Sequence, residues 1–385
     1  MPERPSGRRV VLIGAGHAHL EVLRRYGMQP PAGLQLTCVT PHAVSTYSGM
    51  LPGVLAGQYA PRQMEIDLHR LCALADAQLQ LGSFRDVDIQ ERVVRCDGGV
   101  CVPFDVLSFN VGSTPRLPAQ HGRGGVVIPV KPMATFLERL SEGLTRCGRD
   151  RQHADPIRIS VIGGGVGAVE IALCLPLWIQ SRSESAAVEM SLIGGHPRLV
   201  PELPSRSEGR LKERLHSAGV RLSLGRPVVR IVDGNPEFAD GSIQECDLLI
   251  AVTTAVGLPE FGDLALEQDE RGFLLTNRAL QSIACPCVFA AGDCGTQCGA
   301  DSPKAGVYAV RQAPVLWHNL QSLLSGRRLR PFVPQRNFLK LVNTGDGRAL
   351  GHYRGWTLSG RWVWRLKDQI DRRFVARFRV GADRR

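Results

Sequence analysis

No apolar stretch in the 385-residue chain approaches the roughly 20 residues that a membrane-spanning helix needs, so no transmembrane segment is expected. The first nine residues are polar and lead straight into a strand; with no apolar leader core or cleavage site, secretion is not expected. Aromatic residues are few, at 6%, while apolar residues make up 43%, a balance that fits an ordinary α/β protein of two or three domains. The 11 cysteines are odd in number and follow no disulfide-framework spacing, which implies a reduced, cytoplasmic compartment. Acidic residues become scarce towards the C-terminus. Residues 327–385 hold 16 Lys or Arg against 4 Asp or Glu, a balance of +12, while the whole chain carries +11. The body is therefore close to neutral, which argues against nucleic-acid binding and for a local attachment surface in the C-terminal region.

What is present is a pair of glycine-rich turns. Each follows an apolar strand and precedes a helix: Gly14-Ala15-Gly16-His17-Ala18-His19, and Gly163-Gly164-Gly165-Val166-Gly167-Ala168. In such turns the first glycine permits a tight bend and the second lets backbone approach a pyrophosphate at a helix N-terminus, where free N–H groups and the positive dipole end meet it. A single turn of this kind fits a strand-turn-helix with no ligand. Two in order, closed by Gly292-Asp293 after an apolar strand, point to a flavoprotein holding FAD on one domain and a second dinucleotide on another. The second turn fits fully, with Ala168 at the third position. In the first, His19 occupies that position, which implies a looser or outward-turned helix.

Periodicity predicts strands at 10–14 and 34–40, helices at 18–26, 133–146 and 304–324, and small antiparallel strands between 79 and 109. The expected fold class is α/β: two Rossmann-like dinucleotide-binding domains, the second inserted in the first, plus a C-terminal extension. The expected boundaries are 1–130 and 265–330 for the discontinuous FAD domain, 131–264 for the NAD(P) domain, and 331–385 for a basic region with an amphipathic helix.

Further motifs are Tyr47-Ser48-Gly49-Met50-Leu51-Pro52-Gly53, Asn110-Val111-Gly112-Ser113-Thr114-Pro115, Val130-Lys131-Pro132, the stretch from Pro303 to Gln312, and Trp362-Val363-Trp364-Arg365-Leu366-Lys367-Asp368. With them the chain resembles the two-dinucleotide flavoproteins of the type II NADH:quinone oxidoreductase branch. More closely, it resembles the flavoprotein family associated with selenide, water dikinase. The resemblance implies that Gly14, Ala15, Gly16 and His17 cradle the FAD pyrophosphate. Asn110 and Gly112 would pack on FAD, and Gly292-Asp293 would meet the ribityl chain. It further implies that Gly163, Gly165 and Ala168 hold NAD(P)H, that Glu170 lies near the nicotinamide, and that Lys304 steadies a reduced flavin. Glu170 also reads as a solvated first-turn glutamate, and Lys304 as a surface lysine.

Several features depart from the pattern. Neither second strand ends in the acid that binds a ribose: the sequences are Val39-Thr40-Pro41-His42 and Ile193-Gly194-Gly195-His196. His196 and Arg198 would suit a 2′-phosphate or be plain surface residues. No CxxC or CxxxxC pair lies near the first turn. Cys285, Cys287, Cys294 and Cys298 would bind zinc, relay electrons, or be buried and inert; no metal site is assigned. Trp362, Leu366, Ile370, Phe374 and Phe378 recur every four residues among arginines. They read as a basic amphipathic helix for an anionic membrane surface or a partner groove, or else as a helix packed on its own core.

The expected activity is an FAD-dependent NAD(P)H oxidoreductase with a quinone as acceptor, cytoplasmic or peripheral on the inner face of the membrane. The alternatives are a reductase of selenium or sulfur species, or a low-turnover flavin-bearing partner of selenide, water dikinase.

Overall fold

The computed structural model describes residues 7–122, 124–149, 155–182, 187–300, 303–335 and 337–379. Apolar runs of strand length alternate with helices. The first segment supplies strands β1 (Arg8–Ile13), β2 (Leu34–Thr40), β3 (Gln78–Leu81) and β4 (Val106–Phe109), with helix α1 (His17–Met28) after β1. The middle segment supplies β5 (Val126–Pro129), helix α2 (Phe136–Arg149), β6 (Ile157–Ile162), helix α3 (Val166–Gln180), β7 (Val188–Gly194), helix α4 (Ser205–Ser217), β8 (Arg221–Leu224) and β9 (Leu248–Ala251). The chain then returns with β10 (Val288–Ala290) and helix α5 (Gly306–Leu324). It ends in β11 (Lys340–Asn343), β12 (Ala349–Tyr353), β13 (Trp356–Gly360) and helix α6 (Arg361–Ala376).

Two five-stranded sheets organise these elements. The first has the order β10-β4-β1-β2-β3, and the second β5-β9-β6-β7-β8; all neighbours within them are parallel. Strands buried on both faces explain the unbroken apolar runs Val10-Val11-Leu12-Ile13 and Leu248-Leu249-Ile250-Ala251, each fully or almost fully buried. The return strand β10 lies beside β4, although the second sheet intervenes in sequence.

One boundary is corrected. Residues 126–129, placed by sequence in the first domain, pair in parallel register with Leu248–Ala251 and belong to the second sheet. An edge strand this short carries too little pattern to reveal its partner. Three small antiparallel strands, Phe84–Asp88, Val93–Cys96 and Cys101–Pro103, occupy the region where such strands are expected. The C-terminal strands β11, β12 and β13 form an antiparallel sheet on which α6 rests.

Candidate dinucleotide and acceptor site

The turn after β1 is shaped by Asn110, the residue following β4. Gly14 has φ of +84°, and a Cβ there would lie 2.8 Å from the Asn110 carbonyl oxygen; a Cβ on Gly16 would lie 2.5 Å from it. Neither position admits a side chain. The Gly16 N–H donates to that carbonyl at 3.1 Å. The Asn110 side-chain oxygen accepts from the N–H groups of Ala18 (2.9 Å) and His19 (3.2 Å), and its amide donates to the Ala291 carbonyl at 2.6 Å. One buried asparagine thus ties the start of α1 to the Gly292 turn after β10.

A cavity of about 510 Å³ opens beside this knot. Its walls include Gly14, Ala15, Gly16 and His17, the segment Asn110–Thr114, Asp293, and Gly306 and Ala309 of α5. At Gly112, with φ of +82°, a Cβ would meet nothing within 4 Å and would project into open space. Gly16 has no side chain with which to cap α1, and Asn110 occupies the Ala18 and His19 N–H groups, so what the start of α1 offers a ligand is its positive dipole end. Glycine walls beside a helix dipole end suit the pyrophosphate of a dinucleotide such as FAD.

Electrostatics add a residue that sequence reasoning assigned no role. Lys131 donates to Asp293 at 2.9 Å and to Ser113 at 2.6 Å, on the cavity wall. Its sequence signal was the Val130-Lys131-Pro132 motif, whose Lys131–Pro132 bond is cis. Lys304 sits elsewhere. It does not line the cavity, donates to the Gly295 carbonyl (2.6 Å) and Thr296 hydroxyl (2.9 Å), and lies 3.8 Å above the Phe273 ring. Burial lowers its pKa to about 8 against the pull of Cys294, Asp293 and Asp269. The geometry therefore gives Lys131, not Lys304, the position of a cation at the cavity.

His17 faces the cavity, and desolvation, only partly offset by Asp293, lowers its pKa to about 4. His19 corrects an expectation. It is fully buried and points inward; its ring nitrogens lie 2.6 Å from the Gly14 carbonyl oxygen and 2.8 Å from the Ser108 hydroxyl. Small Ser108 on β4 makes the space that a third glycine otherwise provides, so α1 is neither loosened nor turned outward.

In the second sheet, Gly163 (φ +144°) would drive a Cβ into the Val252 carbonyl, and Gly165, the N-cap of α3, has open space where a Cβ would point. Ala168 is buried in the first turn. The loop thus has the same ligand-accepting form as the first.

Glu170 is buried rather than solvated. It accepts from the Asn343 N–H at 2.8 Å, and burial raises its pKa to about 7 against the pull of Lys367. Lys367 on α6 donates to Asp371 at 2.6 Å and to the Gly49 carbonyl at 2.7 Å, and the Tyr47 hydroxyl donates to Asp371 at 3.1 Å. Burial raises both Asp371 and Tyr47 above their usual ranges. Tyr47 stacks on Phe374 at 4.4 Å, and both rings lie within 5.3 Å of His17. A polar and aromatic chain therefore runs from α3 under α6 to the cavity wall.

The C-terminal stripe also needs correction. Phe374 and Phe378 are buried, whereas Trp362 (53%), Leu366 (36%) and Ile370 (41%) are exposed. A step of four residues overshoots one helical turn by about 40°, so a stripe with that spacing winds from the outer to the inner face. The cysteines do not converge. Cys285 and Cys287 lie 3.2 Å apart at their sulfurs, Cys294 is buried against the Phe109 and Ala291 carbonyls, and Cys298 is exposed. No metal-holding group of His, Cys, Asp or Glu is found among the described residues.

Comparison with known proteins bears on this geometry. The large subunit of nitrite reductase (NADH) from Escherichia coli is 27% identical over 227 residues, covering 54% of this chain and 24% of that protein. The type II NADH:quinone oxidoreductase of Haemophilus influenzae is 22% identical over 208 residues, covering 51% of this chain and 46% of the relative. The aligned part is thus about a quarter of the first relative's length and under half of the second's. In three dimensions, the sulfide:quinone oxidoreductase of Aquifex aeolicus superposes with a TM-score of 0.78 at 16% identity, over 97% of this chain and 92% of the other, which establishes the fold. Residues 8–318 match the pyridine nucleotide-disulphide oxidoreductase family, and the chain belongs to that family of FAD-binding NAD(P)H oxidoreductases.

Proposed function

We propose that the chain is an FAD-dependent NAD(P)H oxidoreductase that delivers electrons to a quinone from a peripheral position on an anionic membrane surface. The observation carrying this reading is the continuity between the glycine-walled cavity and the buried chain Glu170, Lys367, Asp371 and Tyr47 beneath α6. FAD in the cavity supplies a two-electron carrier between a hydride donor and an acceptor.

The residues divide the remaining work. Gly14, Ala15, Gly16 and the start of α1 hold the FAD pyrophosphate, Asn110 fixes that turn, and Gly112 leaves room for the cofactor. Asp293, held by Lys131, would accept from the ribityl hydroxyls. Gly163, Gly165 and Ala168 receive the pyrophosphate of NAD(P)H. Reduction of a quinone by NAD(P)H consumes one proton beyond the hydride. Glu170, with its pKa at about 7, is about half protonated at neutral pH and can supply that proton; Lys367, hydrogen-bonded to Asp371, and Tyr47, bonded to Asp371 and in ring contact with His17, lie between it and the cavity.

Exposed Trp362, Leu366 and Ile370, flanked by exposed Arg361, Arg365, Arg372 and Arg373, form the attachment face. No helix among the described residues is long and apolar enough to cross a membrane. Turnover of sulfur or selenium species, or a docking role with selenide, water dikinase, has less support, because no cysteine lines the cavity.

Anaerobic visible spectra test the reading. The purified protein should carry a flavin band that bleaches with NADH or NADPH and returns on adding a soluble quinone. A band that bleaches but is restored only by a polysulfide would overturn the quinone assignment. A band that neither donor bleaches would overturn the hydride-transfer reading.

A further inference from the structure

The ribose of a dinucleotide bound at α3 lies at the C-terminal tip of β7, the second strand of that fold. There an acid selects an unphosphorylated ribose by accepting from its 2′-hydroxyl and repelling a 2′-phosphate. This tip is Gly194-Gly195-His196. The next carboxylates along the chain are Glu202, half-exposed and 4.0 Å from the Lys340 ammonium, and Glu208, which is fully engaged. One oxygen accepts from Lys212 at 2.7 Å and from the Leu199 N–H at 3.1 Å, and the other accepts from Arg198 at 2.8 Å. Lys212 first, then Arg198, holds its pKa down at about 2.

Arg198 is consumed by the same contact and by the Leu203 carbonyl at 2.7 Å, so it stiffens the loop rather than serving as a phosphate ligand. The described neighbours of the tip include Leu224, Pro227 and Arg226. The Arg226 N–H donates to the Gly194 carbonyl at 3.2 Å, and the Arg226 side chain makes a half-exposed pair with Asp240 at 3.3 Å that water and ligands readily exchange.

We infer that the donor site accepts NADPH and NADH alike, with Gly194 and Gly195 as the positions that withhold discrimination. This rests on the hydride-donor reading above. Its test is a binding measurement that needs no electron transfer. ADP-ribose and 2′-phospho-ADP-ribose are titrated calorimetrically into the FAD-loaded full chain, beside the bleaching assay. Dissociation constants within about tenfold of each other are expected, since nothing at the tip rejects the phosphate. Gly194→Glu should then weaken the phosphorylated ligand by about tenfold or more relative to the other. A Cβ at Gly194 lies 2.8 Å from a Leu224 methyl, so Gly195→Asp serves as a second variant, its Cβ 3.4 Å from Pro227.

A preference beyond about tenfold in either direction by the native protein, or no binding of either ligand, overturns the inference. Binding of both without bleaching by either donor supports it while removing the oxidoreductase reading.

Discussion

The imidazole of His19 is wedged between the Gly14 carbonyl and the Ser108 hydroxyl, and its protonation state follows from that enclosure. Desolvation lowers its pKa from 6.5 to about 4. Between these values the unfolded chain binds the extra proton, so stability is lost as pH falls from 6.5 to 4. By pH 5 the loss from this group is about 2 kcal/mol. His19→Ala should flatten that pH dependence in urea unfolding while costing about 2–4 kcal/mol at pH 7 through a cavity and two orphaned polar groups. An unchanged slope between pH 7 and 5 would refute the assignment. Glu170 behaves oppositely. Its folded pKa, about 7, lies above the 4.5 usual for a glutamate, so the native state is favoured below pH 4.5 and that advantage is lost as pH rises to 7. Glu170→Gln should therefore raise stability at pH 8 by roughly 3 kcal/mol at most, and leave it unchanged near pH 4. It should also slow quinone turnover at neutral pH without slowing flavin bleaching by the donor; equal effects on both steps would remove Glu170 from the acceptor side. At this scale the glycines were legible because a tight turn admits nothing else. The inward His19 and the cation Lys131 were not, since each depends on a partner far along the chain, Ser108 and Asp293.

Helix α6 shows what sequence periodicity gives and withholds. Its helical character and basic flanks are written in the residues, and it forms at Arg361–Ala376. Its inner face is not, because Lys367 and Asp371 read as surface residues yet lie buried as a pair 2.6 Å apart. Two charges removed from water persist only when paired and hydrogen-bonded, as Gly49 and Tyr47 allow. Truncating one partner strands the other. Lys367→Ala alone should destabilise by about 3–5 kcal/mol, whereas Lys367→Met with Asp371→Leu should cost far less than the sum of the single changes. Additive effects in a double-mutant cycle would mean that the pair is not coupled. Either change should also loosen the Tyr47 loop, which α6 holds through Asp371 and the Phe374 ring.

Across the whole molecule, charge and shape are separated. The two dinucleotide folds carry almost no net charge, while residues 327–385 carry +12. The parallel sheets and their glycine turns were legible because local spacing defines them; the point at which the chain crosses to the second sheet was not, since β5 joins that sheet by pairing with a strand more than a hundred residues away. On the attachment proposed above, the basic C-terminal region is what draws the chain to an anionic surface. Helix α6 presents Trp362 and Ile370 outward, and Trp356, on the preceding strand, is 75% exposed. Attraction of this kind acts over about 10 Å at 0.1 M salt and fades above it, whereas the insertion of indole and aliphatic groups does not. The full chain should therefore float with phosphatidylglycerol-containing vesicles at low salt, bind weakly to phosphatidylcholine alone, and be partly released at about 0.5 M salt. Trp362→Ser with Ile370→Ser removes two insertion anchors without touching the buried face, and should weaken anionic-vesicle binding by about tenfold or more while sparing the flavin spectrum. Failure to float with anionic vesicles at low salt, or flotation that these two substitutions leave unchanged, would remove the outer face of α6 as a bilayer-attachment surface.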